Sequence, residues 1–260
     1  MLNTQPLDYL PMWGIYFLTV VVLLLAIELG YRSGLVIQKY RPDKGEAGVG
    51  AMVGASLAFL GFMLALITST AVDIYNQRRA LVVEEANAIG TAYLRSEYLD
   101  EPFSTEARQL LHEYVDTRLA ALDRNKLEAA LVRSEEIQQE LWSQVVTLAK
   151  SDPTPTTALY ISSLNDVIDI HSKRVNISLQ VRVPPAILLG LHLVAILSLV
   201  LMGIQGSYSG KRNIIAMVVM VLILSMVFVL ITDLERGQQG LLQVTHQPLI
   251  DLQHQLQIKP

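Results

Sequence analysis

Residues 50–72 read GAMVGASLAFLGFMLALITSTAV, and the chain continues into DIYNQRRALVVEEANAIGTAYLRSEYL over residues 73–99. The first segment is apolar over roughly 20 residues, the length that a helix needs to cross the hydrocarbon core of a bilayer. The second segment keeps a helical period of apolar residues, at Val82, Ala86, Ile89 and Tyr93. Neither proline nor glycine occurs between Gly61 and Gly90. The sequence therefore predicts one continuous helix over residues 50–99.

Three further segments have a similar length and composition: Trp13–Leu29, Ala186–Met202 and Ile214–Ile231. Hydrophobic residues make up 52% of the chain and charged residues 17%, and the apolar residues are concentrated in these four segments. We therefore predict an all-α polytopic membrane protein with four transmembrane helices. A helical extramembrane bundle is inserted between the second and third transmembrane helices.

The predicted bundle contains three helices after the extension of the second span. Ser104 or Thr105 is the predicted N-cap of the first of them, and Pro153 and Pro155 separate the next two. Their apolar stripes comprise Ala107, Leu111, Val115, Leu119 and Leu122, then Leu127, Leu131, Ile137, Leu141, Val145 and Leu148, then Tyr160, Leu164, Val167, His171 and Val175. No segment alternates with a period of two, so strands are not expected.

The domain organisation follows from these boundaries. Residues 1–72 hold the first two transmembrane helices, 73–183 the extramembrane bundle, and 184–232 the last two transmembrane helices. Residues 233–260 form a weakly amphipathic tail, with Leu249, Leu252 and Leu256 on one side, that is expected to pack on the bundle.

Composition excludes several functions. The absence of cysteine excludes a disulfide framework, a zinc finger, an iron–sulfur cluster and a thiol nucleophile. A net charge of −4 without a basic patch argues against nucleic acid as a partner. No nucleotide-binding glycine loop, zinc-binding helix motif or nucleophile elbow occurs. We expect no enzyme, no cofactor and no metal site, and the first apolar segment is expected to be a retained anchor.

Membrane orientation is balanced between two sets of basic residues. The short loops carry Arg32, Lys39, Arg41, Lys44, Lys211 and Arg212. The side of the inserted bundle carries Arg78, Arg79, Lys173, Arg174, Arg182 and Arg236 close to the spans. The positive-inside rule gives no decision between the two orientations.

Three stretches resemble the bestrophin-like membrane protein family. They are LAFLGFMLALIT at residues 57–68, YNQRR at 75–79 continuing into EEANAIGTAYLR at 84–95, and DLERG at 233–237 followed by QPL at 247–249. The second span is also distantly similar to that of bestrophin channels, in which five subunits surround a pore lined by the second helix. The resemblance implies a homo-oligomer, a pentamer, in a cell membrane (plasma or bacterial inner membrane), with membrane lipid and inorganic ions as partners.

The resemblance also indicates where a narrow apolar neck would lie, near Leu60-Gly-Phe62, with Ala58 and Gly54 on the same wall. Bestrophin channels carry a calcium-binding run of acidic residues after the last span. This sequence retains only Asp233 and Glu235 there, so calcium gating is not implied.

The second span carries two candidate pore-lining stripes. Small residues recur on one side of the helix, at Gly50, Gly54, Ala58, Gly61, Ala65 and Ser69. Apolar side chains suited to a dewetting gate form the other, at Phe59, Phe62, Met63 and Leu66. The alternative for the small residues is close helix packing, because such stripes allow two helix backbones to approach.

Three charged residues follow the span at a candidate pore mouth: Asp73, Arg78 and Arg79. Rings of arginine in an oligomer would concentrate anions, and Asp73 would act in the opposite sense. The alternative for the arginines is contact with lipid phosphates or pairing with Glu84 or Glu85.

The ionisable residues inside apolar stretches are each explained by a structural role. Glu28 lies at a span end, His192 can remain neutral and bond to a neighbour, and His171 fits a satisfied core histidine. Two functions remain open at this point: an oligomeric ion channel or pore lined by the second helix, and a non-conducting membrane sensor or scaffold.

Overall fold

The computed structural model describes residues 10–40, 46–208, 213–236 and 240–258. Within these ranges the chain is all-α. Its helices are α1 (Met12–Tyr40), α2 (Glu46–Ser96), α3 (Phe103–Ala120), α4 (Leu127–Ser151), α5 (Pro155–Leu179), α6 (Pro185–Tyr208), α7 (Ile214–Arg236) and α8 (Gln247–Ile258). Arg41, Lys44, Lys211 and Arg212, which entered the orientation argument, lie outside the described residues.

Four of these helices are long and apolar enough to cross a membrane: α1, α2, α6 and α7. Helices α3, α4 and α5 lie between the second and third of them in sequence, which confirms the predicted fold class. Helix α2 runs for 51 residues, so the prediction of one uninterrupted helix through Val72 is also confirmed.

One helix extends beyond its apolar segment, and one predicted helix start is wrong. Helix α1 continues past Leu29 to Tyr40, and Gly30 and Gly34 within it pack against α6. Helix α3 begins at Phe103 with Pro102 as N-cap, without a side-chain capping bond. Ser104 is buried within the first turn instead of capping it.

The chain divides into two compact units. The first comprises Met1–Tyr75 and Val181–Gln243, and the second comprises Asn76–Gln180 and Val244–Pro260. In the first unit, α1 packs against α6 and α7, and residues of α1, α2, α6 and α7 share one apolar core. Leu23, Leu60, Leu199 and Phe228 are among the most buried side chains of this core.

The contact between α1 and α6 is a close approach of two backbones. A Cβ atom added at Gly30 would lie 2.1 Å from the carbonyl oxygen of Val200, and one at Gly203 would lie 2.2 Å from that of Ile27. Only glycine permits this approach, which is the small-residue mode of packing between membrane helices.

In the second unit, α3 packs on α4 and α8, and α4 packs on α5. Its apolar interior uses the centres of the predicted stripes: Ala107, Leu111, Val115, Ile137, Leu141, Val145, Tyr160, Leu164 and Val167 are buried. The stripe ends depart from the prediction, since Leu122 is exposed and Leu119 is half-buried. Leu249, Leu252 and Leu256 bury one face of α8.

Candidate functional site

Helix α2 turns one side toward the core of the first unit and leaves the other side uncovered. The covered side consists of Val53, Leu60, Leu64, Ile67, Ala71 and Ile74, all buried. The residues that we call the open face of α2 are exposed on the opposite side: Gly54, Ala58, Phe59, Gly61, Phe62, Ala65, Leu66 and Ser69. Most residues of the two predicted stripes lie on this open face, but Gly50 and Met63 are half-buried, and Leu60 of the predicted neck is buried on the covered side.

The small residues of the open face do not serve packing within the chain. A Cβ atom added at Gly54 or at Gly61 meets nothing within 4 Å. The large side chains beside them are also uncovered, with Phe59, Phe62 and Leu66 exposed by 53%, 59% and 48%. The face is therefore mainly apolar and largely uncovered by the described part of the chain.

The three candidate mouth charges have different environments. Asp73 and Arg79 are exposed. Arg78 is buried, and its Nε donates a hydrogen bond of 3.4 Å to the backbone carbonyl of Ile177. Arg78 follows Ile74 by one helical turn on the covered side of α2, which explains its burial. That period was available in the sequence, and it leaves Asp73 and Arg79 as the exposed charges.

The ionisable residues of the apolar helices bond to near neighbours. The carboxylate of Glu28 accepts a hydrogen bond of 2.8 Å from Arg32, one turn further along α1. His192 Nδ1 lies 2.8 Å from the carbonyl oxygen of Leu188, and its ring lies 4.1 Å from that of Phe228. The expectation that His192 bonds to a neighbour is confirmed.

The two carboxylates after the fourth span hold backbone groups. Asp233 accepts hydrogen bonds from the amides of Leu241 and Leu242, at 2.6 and 2.9 Å. Glu235 accepts one from the amide of Val183 at 2.9 Å. Both residues are buried and fix the chain around the end of α7. Among the described residues, no three His, Asp or Glu side chains are grouped as a metal site requires.

The interior of the second unit contains an ion cluster that sequence reasoning missed. Glu85 of α2 accepts a hydrogen bond of 2.8 Å from Arg118 of α3 and a second one from Arg174 of α5. The three side chains are 0%, 5% and 6% exposed. The sequence interpretation considered Glu85 only as a partner for Arg78 or Arg79 and did not identify Arg118 or Arg174 as partners. The spacing of Glu85, three and four from Val82 and Ile89, was the available signal.

A neutral hydrogen-bonded chain lies in the same interior. The amide of Gln138 donates to the hydroxyl of Tyr114 at 3.0 Å, and that hydroxyl lies 2.9 Å from Nδ1 of His171. The hydroxyl can donate to Nδ1 only when the imidazole is neutral. Burial, and secondarily the charge of Arg118, lowers the pKa of His171 to about 4. The prediction that His171 is a satisfied core histidine is confirmed.

The fold and the apolar helices define a multi-pass membrane protein. The sequence profile of the Bestrophin-like domain matches residues 16–249, so the chain belongs to the Bestrophin-like family. Comparison with curated protein sequences found no significant match.

Among solved structures, the chain is similar to three point mutants of a bacterial Bestrophin homolog from Klebsiella pneumoniae. One has a TM-score of 0.66 at 14% sequence identity, covering 94% of this chain and 97% of that one. Another has a TM-score of 0.66 at 12% identity, covering 95% and 99%. A third has a TM-score of 0.63 at 15% identity, covering 91% and 97%. At these identities the similarity establishes the fold alone.

Proposed function

We propose that this chain assembles as a homo-oligomeric ion channel in a cell membrane and that the open face of α2 lines the passage. The observation that carries the proposal is that this face is uncovered and combines small residues, with Gly54 and Gly61 among them, with large apolar side chains. Small residues on an exposed helix leave room around a symmetry axis, and cyclic assembly of identical chains is the common way to surround one. By family resemblance the oligomer is a pentamer.

The two stripes of the open face have separate roles in this proposal. Gly54, Ala58 and Ser69 keep the passage wide enough for ions and water. Phe59, Phe62 and Leu66 form an apolar constriction that closes by dewetting. Asp73 and Arg79 are the exposed charges further along α2, and their opposite signs leave the sign of the permeant ion to measurement.

The same proposal assigns the two units. Helices α1 and α6, α2 up to residue 72 and α7 up to residue 232 lie in lipid, and residues 73–183 with the tail 233–260 form the extramembrane part. In this proposal the protein is a channel that conducts inorganic ions passively, and it is not an enzyme.

The absence of cysteine from the chain makes single-cysteine scanning the direct test, because no background thiol has to be removed. The variants Ala58→Cys, Phe62→Cys and Ser69→Cys are reconstituted in liposomes or planar bilayers and treated with a charged, membrane-impermeant thiol reagent. The reagent is expected to change the current of these variants. Leu189→Cys on α6, whose side chain is 70% exposed, is the matched control and is expected to remain unmodified in lipid.

Two results would reject the proposal. A monomeric mass of the purified protein in mild detergent leaves no shared axis for a passage. An absence of ion flux across the tested range of pH and salts, with an intact oligomer, favours the non-conducting sensor or scaffold instead.

A further inference from the structure

The ion cluster inside the second unit contains more positive than negative charge. Glu85 is the only carboxylate that the described structure places on Arg118 and Arg174, and it bonds to both. Arginine keeps its proton at neutral pH, even though burial lowers the pKa of Arg174 to about 10. Two guanidinium groups around one carboxylate leave a surplus of one positive charge.

One nitrogen atom of this cluster has an unsatisfied hydrogen-bond donor. Arg118 uses its Nε for Glu85, while its Nη1 is buried and has no hydrogen-bond partner among the described residues. A buried N–H donor without an acceptor retains the desolvation penalty of that group. A negatively charged acceptor at Nη1 would satisfy this donor and would also neutralise the surplus positive charge.

The neighbouring side chains cannot supply that negative charge. Burial raises the pKa of the Tyr114 hydroxyl, so it stays protonated. Gln138, from α4, is a neutral donor to Tyr114. His171 on α5 and His246, just before α8, have pKa values lowered to about 4 by burial and by the nearby arginines, so both are neutral. These four neighbours are therefore neutral at pH 7, and the other buried ion of this part of α2, Arg78, is itself positive.

We infer that the interior of the second unit binds one small monovalent inorganic anion, of the halide class, at Nη1 of Arg118. A water molecule would satisfy the N–H groups but would leave the charge uncompensated. The burial of the cluster favours a compact anion over the larger carboxylate or phosphate groups. The bound anion would act as a structural counter-ion between α2, α3 and α5. This inference goes beyond ion conduction and does not rest on it.

The first experiment measures thermal unfolding of the full chain in detergent with chloride, bromide or gluconate as the anion. Chloride and bromide are expected to raise the Tm over gluconate, by about 3–6 °C when the halide is tenfold above its Kd. The increase should saturate with halide concentration at constant ionic strength. A Tm that does not depend on the anion overturns the inference.

The second experiment locates the site. Crystals grown in bromide should give an anomalous peak at the bromine edge beside Arg118, and a structure without such a peak in the second unit overturns the inference. The variant Arg118→Met leaves Glu85 paired with Arg174, a neutral pair, and is expected to lose the halide dependence of its Tm.

The matched control for this variant is Arg133→Met. Arg133 is a half-exposed arginine bonded to Glu113, Glu136 and Glu140, and its removal should preserve the halide dependence. Equal halide dependence in both variants contradicts the assignment to Arg118. If Arg118→Met does not fold, the bromide peak in the wild-type protein decides. None of these readouts requires a current.

Discussion

Helices α1 and α6 meet through glycines, whereas two glycines of α2 meet nothing. At Gly30 and Gly203 a side chain would collide with the backbone of the facing helix. At Gly54 and Gly61 a side chain would enter open space. The same residue type therefore serves a closed contact between one pair of helices and an uncovered surface on a third helix. Only the position of the neighbouring helix distinguishes the two.

Gly30→Ala is expected to have the largest effect. The new Cβ would lie 2.1 Å from a backbone oxygen that cannot rotate away, so α1 and α6 must separate. We expect a loss of stability on the order of 3 kcal/mol, measured by denaturant or thermal unfolding in detergent. Gly203→Ala, on the other side of the same contact, should behave alike. A variant that unfolds as the wild-type protein does would show that this contact is looser than described.

Acidification should lower the free energy of unfolding of the second unit. The ranking of the glycine variants by stability should stay the same, because their contacts contain no titrating group. His171 has a pKa near 4 in the folded chain and about 6.5 when unfolded, so the unfolded chain binds the proton first. Its contribution to stability is complete above pH 6.5 and falls as the pH drops toward 4. Between pH 7.5 and 5.5 the expected loss is about 1 kcal/mol. Unfolding of His171→Gln should depend less on pH than unfolding of the wild-type protein, and an unchanged pH dependence would contradict the assignment.

Gly34→Ala is expected to have a smaller effect than Gly30→Ala. Here the nearest atom to an added Cβ is the hydroxyl oxygen of Ser207, a side chain that can be removed. We expect a loss of about 1 kcal/mol that the second substitution Ser207→Gly restores, measured as a double-mutant cycle. Additive losses in the cycle would mean that the two residues do not interact.

Gly54→Ala and Gly61→Ala are expected to have the smallest effect on folding. No atom opposes the new methyl group, and alanine favours a helix over glycine by up to about 1 kcal/mol. Stability should therefore be unchanged or slightly higher. If the open face lines a passage, the same variants should alter conductance, so a change in current at constant stability separates the two roles of glycine. Destabilised, monomeric variants would instead place these glycines in a subunit contact.

The sequence was sufficient for features that depend on local chemistry. The absence of helix breakers between Gly61 and Gly90 predicted the uninterrupted α2, and the length of the apolar segments predicted the four spans. The apolar stripes around Leu111, Ile137 and Leu164 predicted the interior of the second unit. Each of these depends on the helical period, which a single sequence displays directly.

Features that depend on a distant partner were missed. The role of Gly30 is set by Val200, far along the chain, so no local pattern indicated it. Glu85 was considered only as a partner for arginines of its own helix, because Arg118 and Arg174 belong to α3 and α5. Arg78 was grouped with Arg79 because they are adjacent, although one helical step turns the first inward and the second outward. Which of the two small-residue stripes has a partner could not be read from spacing alone.

The pairing of α1 with α6 also bears on how the protein is made. Gln38 and Ser207, which share a hydrogen bond at this contact, are 169 positions apart in the chain. A ribosome adding 5–20 residues per second needs about 10–30 s to reach the second of them after the first. During that interval the glycine face of α1 has entered the bilayer without its partner. Helix α1 must therefore remain without its packing partner, surrounded by lipid or by the insertion machinery, until α6 has been synthesised and inserted.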